Sequence, residues 1–320
     1  MKAAHRVCYF GKLPTRGDFL RSGHEVALLT VLDEWLADVM SELPADVRWK
    51  LHFDALAPVH FAFAGLRRRH AIGGHLVASR DQSGRRFPFL LACTVDVPDP
   101  GSFVAEAPLA FAPVWSVFAT VAHSLAGAAD PAPLLAGGGL DQALPAVACR
   151  TALDALLDTC TVGALAALLG RDDLRRLVLA LGIVLRPVLR IEAEHLEKSL
   201  VLPLPENVSA RCGVAAFWLE LVVPFLGGRD VELALFQTRL DGAPVLVIGF
   251  AGACARTLQA IIDPGLGAQM QVAFAETSWV DGCDVVGVDL RALASYLDQP
   301  QLPLRSVRDL FLETFTGGVP

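Results

Sequence analysis

The chain has 320 residues, of which 53% are hydrophobic and 19% charged, with a formal net charge of -7. That much apolar material fills a sizeable core and excludes a disordered chain. The acidic balance argues against non-specific nucleic-acid binding, which needs basic surface to displace counterions; Arg67-Arg68-Arg69 is the one local basic patch.

In chain order, Val7 to Phe10 predicts a short buried strand that ends in a Gly/Pro loop. Between Ala27 and Met40, Leu28, Leu29, Leu32, Trp35, Leu36 and Val39 recur at helical spacing, with Asp33, Glu34 and Asp38 on the wet side. Val59 to Ala64, His75 to Ser79 and Phe87 to Val97 are rich in β-branched and aromatic residues and predict three neighbouring strands. Ala107 to Ala129 carries no Asp, Glu, Lys or Arg and is long enough to span a bilayer. Pro108, Pro113, His123 and many alanines make a buried helix from about Pro113 to Ala126 the better reading, and no integral membrane segment is expected.

Pro131 to Pro133 and Gly137-Gly138-Gly139 then predict a linker or loose loop. Thr151 to Leu169 and Asp172 to Leu185 are Leu/Ala-rich and predict helices, ended by Pro203 and Pro205. Val214 to Trp218, Leu233 to Phe236 and Val245 to Ile248 predict strands; Thr257 to Ile262, Asp289 to Leu297 and Val307 to Phe315 predict helices. The fold class expected is α/β: a mixed sheet flanked by helices, with a second, smaller α/β portion joined through a helical segment. The boundaries are 1–130, 131–205 and 206–320.

The seven cysteines include no C-x-x-C pair and follow no secretory leader, so reduced thiols in a cytoplasmic protein are expected. No His/Cys cluster has zinc-ligand spacing, and no metal or cofactor is expected. Gly11-Lys12 lacks the rest of a phosphate loop, and Pro14 removes a donor N–H there. No G-x-S-x-G elbow occurs, and the eight histidines are scattered, although a Cys/His pair assembled by the fold stays open.

Two segments stand out: Phe10 to Arg21 and Ser79 to Phe89. Gly11 and Gly17 suit backbone angles closed to other residues, and Pro14 stiffens the loop between them. Asp18 suits a turn, Ser79 to Gly84 a hairpin bend, and Arg85 or Arg86 has the reach for Asp18 or Asp81. Two loops tied by an ion pair and buried phenylalanines would explain this composition. A recognition surface built from Lys12, Arg16, Asp18, Arg21, Asp81, Arg85 and Arg86 would explain it too, since arginine and aromatics favour interfaces. Among the tryptophans, Trp35 and Trp115 suit the core, while Trp49 and Trp279 lie near loops.

These same residues resemble the TagF (ImpM) family of type VI secretion-associated proteins. Gly11-Lys12-Leu13-Pro14 and Gly17-Asp18-Phe19 resemble its opening, and Leu32 to Leu36, with Trp35, its W-D-x-W-L helix. Trp49 and Pro58 to Gly65 resemble its next strand region, with His60 where tryptophan is usual. Ser79, Asp81, Gly84, Arg85, Phe87 and Pro88 fit its S-x-D-x-x-G-R-x-F-P signature; Gly249 to Pro264 matches more loosely. The resemblance implies a non-enzymatic cytoplasmic regulator, a repressor of type VI secretion that binds an FHA-domain scaffold protein. No phosphatase pattern accompanies it. The alternatives are a small hydrolase with Asp18, Asp81 and Arg85 in a cleft, and a structural accessory subunit of the apparatus.

Overall fold

A computed structural model of the chain describes residues 7–22, 25–136, 149–190, 196–282 and 288–317. The elements are β1 (Val7–Gly11), β2 (Leu20–Arg21), α1 (Val26–Glu42), α2 (Trp49–Asp54), β3 (Val59–Gly65), β4 (His70–Val77), β5 (Phe89–Asp96), α3 (Pro100–Gly127) and α4 (Ala132–Ala136). They continue with α5 (Cys149–Thr159), α6 (Val162–Leu169), α7 (Leu174–Leu185), β6 (Ser199–Pro203), α8 (Val208–Val222), β7 (Glu232–Leu240), β8 (Ala243–Gly249), α9 (Ala255–Ile262), α10 (Pro264–Met270), β9 (Gln271–Ala273), α11 (Val288–Leu297) and α12 (Leu304–Thr316).

The strands form one sheet in the order β2-β1-β5-β4-β3-β7-β8-β6-β9. Every pairing is antiparallel except the parallel β6–β9 pair, which makes the sheet mixed. The sheet-bearing portions at the two ends of the sequence meet where β3 pairs with β7, Phe61 opposite Phe236. They are therefore two halves of a single sheet, laid edge to edge.

Helices cover both faces, and the period-2 alternation of strand side chains feeds two cores. Leu91, Cys93, Leu233 and Leu235 pack towards α3, α5–α8 and α12. Leu90, Ala92, Ala234 and Phe236 pack towards α1, Phe53 of α2, and α9. Trp35 lies in the second core, with its ring centre 5.1–6.2 Å from those of Phe61, Phe63 and Phe236.

Several expectations are corrected. Val214 to Trp218 is not a strand but the middle of α8, where residues 214 to 219 are all buried. A helix that is apolar all round shows no 3.6-residue alternation in a five-residue window, so length alone separates it from a strand. The helical block is not ended by Pro203 and Pro205, because β6 intervenes. The helix expected from Pro113 begins at Pro100 and carries Pro108 and Pro113 inside it. Both α3 and the span Val208–Leu226 are long and apolar enough to cross a membrane. In this fold Phe111, Trp115 and Phe118 of α3 are buried in the first core. The Gly137-Gly138-Gly139 stretch and Cys283 lie outside the described residues.

Candidate functional site

The two loops singled out in the sequence meet at Asp81. β1 ends at Gly11, whose φ of +131° is open to glycine, and whose Cα faces the Pro88 carbonyl so closely that a Cβ would sit 2.0 Å from that oxygen. The next residue, Lys12, is buried and donates from Nζ to Asp81 Oδ2 at 2.9 Å. Arg85 Nε donates to the same oxygen at 2.7 Å. Oδ1 accepts from Ser83 N, Ser83 Oγ and Arg85 N at 2.7–3.0 Å. Burial alone would raise the Asp81 carboxyl. The hydrogen bonds from Ser83, Lys12 and Arg85 outweigh it and hold the carboxyl far below its ordinary value. Gly84, at φ +83°, makes the bend that returns Arg85 to this carboxylate. Arg85 Nη2 then reaches the Gly17 carbonyl at 3.0 Å, and Gln82 N donates to the Arg16 carbonyl at 2.9 Å.

Around this ion pair the rings of Phe10, Phe19 and Phe87 meet at 4.8–5.7 Å, and Lys12 Nζ lies 4.9 Å from the Phe19 ring centre. Phe10, Phe89 and Pro88 are buried and Phe87 half-buried, whereas Phe19 is 42% exposed. Other expected members lie outside the brace. Arg86 pairs with Asp54, not with Asp81 or Asp18. Arg16 pairs with Asp130 at 2.6 Å. Asp18 and Arg21 are exposed, with no side-chain partner among the described residues, so Asp18 does not converge with Asp81 and Arg85. Gly17 needs no special conformation: its φ lies outside the left-handed region and a Cβ would meet nothing within 4 Å.

Next to the brace, Pro14 borders a cavity of about 1100 Å³. Its floor is the sheet, its long wall is α3 from Leu109 to Ala126, and the start of α8 closes it. None of Asp18, Asp81 and Arg85 lines it. Across the floor runs a polar row set by strand register: His75 opposite His60, and His60 opposite Gln237. The Nδ1 atoms of His60 and His75 are 3.0 Å apart, and His60 stacks on Trp115, whose Nε1 donates to the Phe61 carbonyl. Burial draws His60 down to about 4, helped by Arg211, and His75 to about 3, helped by His60. The pair is neutral at physiological pH and shares one Nδ1 proton. Cys212 of α8 touches Gln237 at 3.9 Å, and burial pushes its thiol up to about 11, so it is not a thiolate nucleophile.

Sequence reasoning had set His60 and His75 among scattered histidines. The hairpin pairing of β3 and β4 was the available signal for them; nothing in the chain announces Gln237 or Cys212. Elsewhere, single ligand atoms of Asp46, His52 and Asp263 lie within 4.8 Å of one another. Asp263 also caps α10 and Asp46 accepts from Arg48 N.

A family model described as "TagF N-terminal domain, Type VI secretion system-associated" matches residues 8–137. That span runs from β1 through α4 and contains the whole Lys12–Asp81–Arg85 brace. The crystal structure of PA0076 from Pseudomonas aeruginosa PAO1 is 25% identical over a region covering 44% of this chain and 64% of that chain, with a TM-score of 0.37. The chain thus spans less than two thirds of that structure's length. No curated protein matches the chain. Residues 8–137 of the chain match the TagF N-terminal domain, and that match indicates a type VI secretion system-associated protein.

Proposed function

We propose that this protein is a cytoplasmic, non-enzymatic regulator that represses type VI secretion after its components are made, by binding an FHA-domain scaffold protein of the apparatus. The observation that carries the reading is the TagF N-terminal domain match over residues 8–137. The geometry agrees with it in one respect. The carboxylate a hydrolase would need, Asp81, is buried under five hydrogen bonds and does not line the neighbouring cavity, so it has no lone pair left for a substrate or a water.

The test is binding and phenotype together. The purified chain is titrated calorimetrically with the FHA-domain protein of the same secretion cluster, and effector release is compared between a deletion strain and its parent. Saturable binding and raised secretion in the deletion strain are expected. Absence of binding with unchanged secretion overturns the reading. Presence of the chain in stoichiometric amounts in the assembled machine favours a structural accessory subunit instead.

A further inference from the structure

The groove beside the brace has properties that the loops do not. At about 1100 Å³ it exceeds the roughly 300–1,000 Å³ of small-molecule sites. Its α3 wall, from Leu109 to Ala126, runs for about 25 Å at the helical rise. Most of that wall is small side chains, Ala112, Ser116, Ala119 and Thr120 among them, set between Leu109, Trp115 and His123, and the small positions let a second main chain approach closely.

The floor carries complementary hydrogen-bonding atoms. Two neutral imidazoles that share one Nδ1 proton present opposite faces at Nε2: one N–H and one lone pair. Neither Nε2 has a protein partner among the described residues, and both residues line the groove, His60 half-buried and His75 2% exposed. A donor and an acceptor side by side match the C=O and N–H of an extended peptide unit.

The rim is basic although the chain is acidic. Arg80, Arg211 and Arg239 line it against Asp54 alone. Asp54 is already neutralised by Arg86, and Glu206 balances Arg239. Arg80 makes no side-chain hydrogen bond or ion pair among the described residues, and its charge helps Arg86 to hold the Asp54 carboxyl below its ordinary value. Arg211 is held by the Pro205 and Glu206 carbonyls through Nε and Nη2, and Nη2 lies 3.8 Å from the Glu206 carboxylate that Arg239 also binds, so one carboxylate serves two arginines and Nη1 makes no bond among the described residues.

We infer that this groove receives an extended segment of a partner protein, acidic at its ends and apolar in its middle. Its main chain hydrogen-bonds to the His60–His75 pair, its small apolar side chains lie against α3, and its carboxylates meet Arg80 and Arg211. The inference rests on the reading of this protein as one that acts by binding, and it names the surface and the chemistry of what is bound.

The experiment has two arms. In the first, fluorescein-labelled ten-residue peptides, with Asp or Glu flanking Ala, Val and Leu, are titrated against the full chain by fluorescence polarisation. The same peptides with Lys and Arg in place of the acids serve as the comparison. In the second, the FHA-domain protein is titrated calorimetrically. Both arms use the wild type, Ser116→Trp to fill the groove, and Arg80→Glu to reverse its rim; both positions are exposed. Acidic peptides are expected to bind, with affinity falling at least tenfold in either variant and Tm unchanged. Should Ser116→Trp fail to fold, Arg80→Glu alone decides. Equal binding of basic and acidic peptides, binding of neither, or binding unaffected by the variants overturns the groove. A scaffold that binds the wild type and both variants alike overturns the groove but leaves the regulator reading standing. Peptides that bind while the scaffold does not would do the reverse.

Discussion

Lys12 Nζ lies 2.9 Å from Asp81 Oδ2 and 4.9 Å from the centre of the Phe19 ring, so one ammonium ties the loop after β1 to the loop after β4. Breaking a buried pair by removing one partner leaves an uncompensated charge. Asp81 is expected to matter more than Lys12, because Asp81 also holds Ser83 and Arg85. Asp81→Asn should lower the urea midpoint further than Lys12→Met. The double variant should lie closer to Asp81→Asn than to the sum of the two. Because the Asp81 carboxyl is held below its unfolded value, its contribution is present above about pH 4 and is lost on further acidification. Additive losses in the double variant would sink this account of the brace.

Gly11 and Gly17 look alike in the sequence and differ in the fold. A Cβ at Gly11 would sit 2.0 Å from the Pro88 oxygen, in a chain held at φ +131°; a Cβ at Gly17 meets nothing. Gly11→Ala should cost about 3 kcal/mol or more and Gly17→Ala less than about 0.5 kcal/mol. Thermal unfolding of both variants checks this, and equal effects would contradict it.

The contrast shows what was legible in the sequence. Strands bounded by glycine and charge, and the long amphipathic α1, read directly, because their patterns are local. Two tight loops were also legible, since a bend at Gly84 and a close approach at Gly11 restrict which residues fit. What was not legible depends on contacts across the chain. Arg86 takes Asp54 rather than Asp81, a choice made by the placement of α2 and not by spacing. The polar row His75–His60–Gln237 exists only because β7 joins β3, which sets Gln237 opposite His60 across 177 positions. The helix α8 misled because burial on every side erases its period.

The buried imidazoles make stability sensitive to mild acid. His60 and His75 are drawn down to about 4 and about 3, chiefly by burial, whereas in the unfolded chain they titrate near 6.5. Below about pH 6.5 the unfolded chain therefore binds protons that the folded chain refuses, and stability falls as pH drops towards 4. At pH 5 the loss relative to pH 7 should be on the order of 2–4 kcal/mol for the pair. This window lies above the one in which Asp81 titrates. Urea midpoints measured from pH 7 to pH 4.5, with a His60→Gln/His75→Gln variant as the reference, separate the two. A slope as steep in the variant as in the wild type would rule the histidines out.

The segment that matches the TagF N-terminal domain should not stand by itself. Its strand β3 is interior only because β7 pairs with it from His60 to Gly65, and its Trp35 and Phe63 rings pack on Phe236. A chain truncated after residue 137 would expose β3 as a long apolar edge, which recruits other chains. It would also open the second core to water. Such a fragment is expected to be insoluble, or to bind a hydrophobic dye without a cooperative unfolding transition. In the full chain, Phe236→Ala should cost about 3–5 kcal/mol, since it removes a fully buried ring shared by both halves of the sheet. A soluble fragment that unfolds cooperatively near the midpoint of the full chain would show that the two halves are stable apart. The seam between β3 and β7 would then be a contact between two folded domains, and not the centre of one fold.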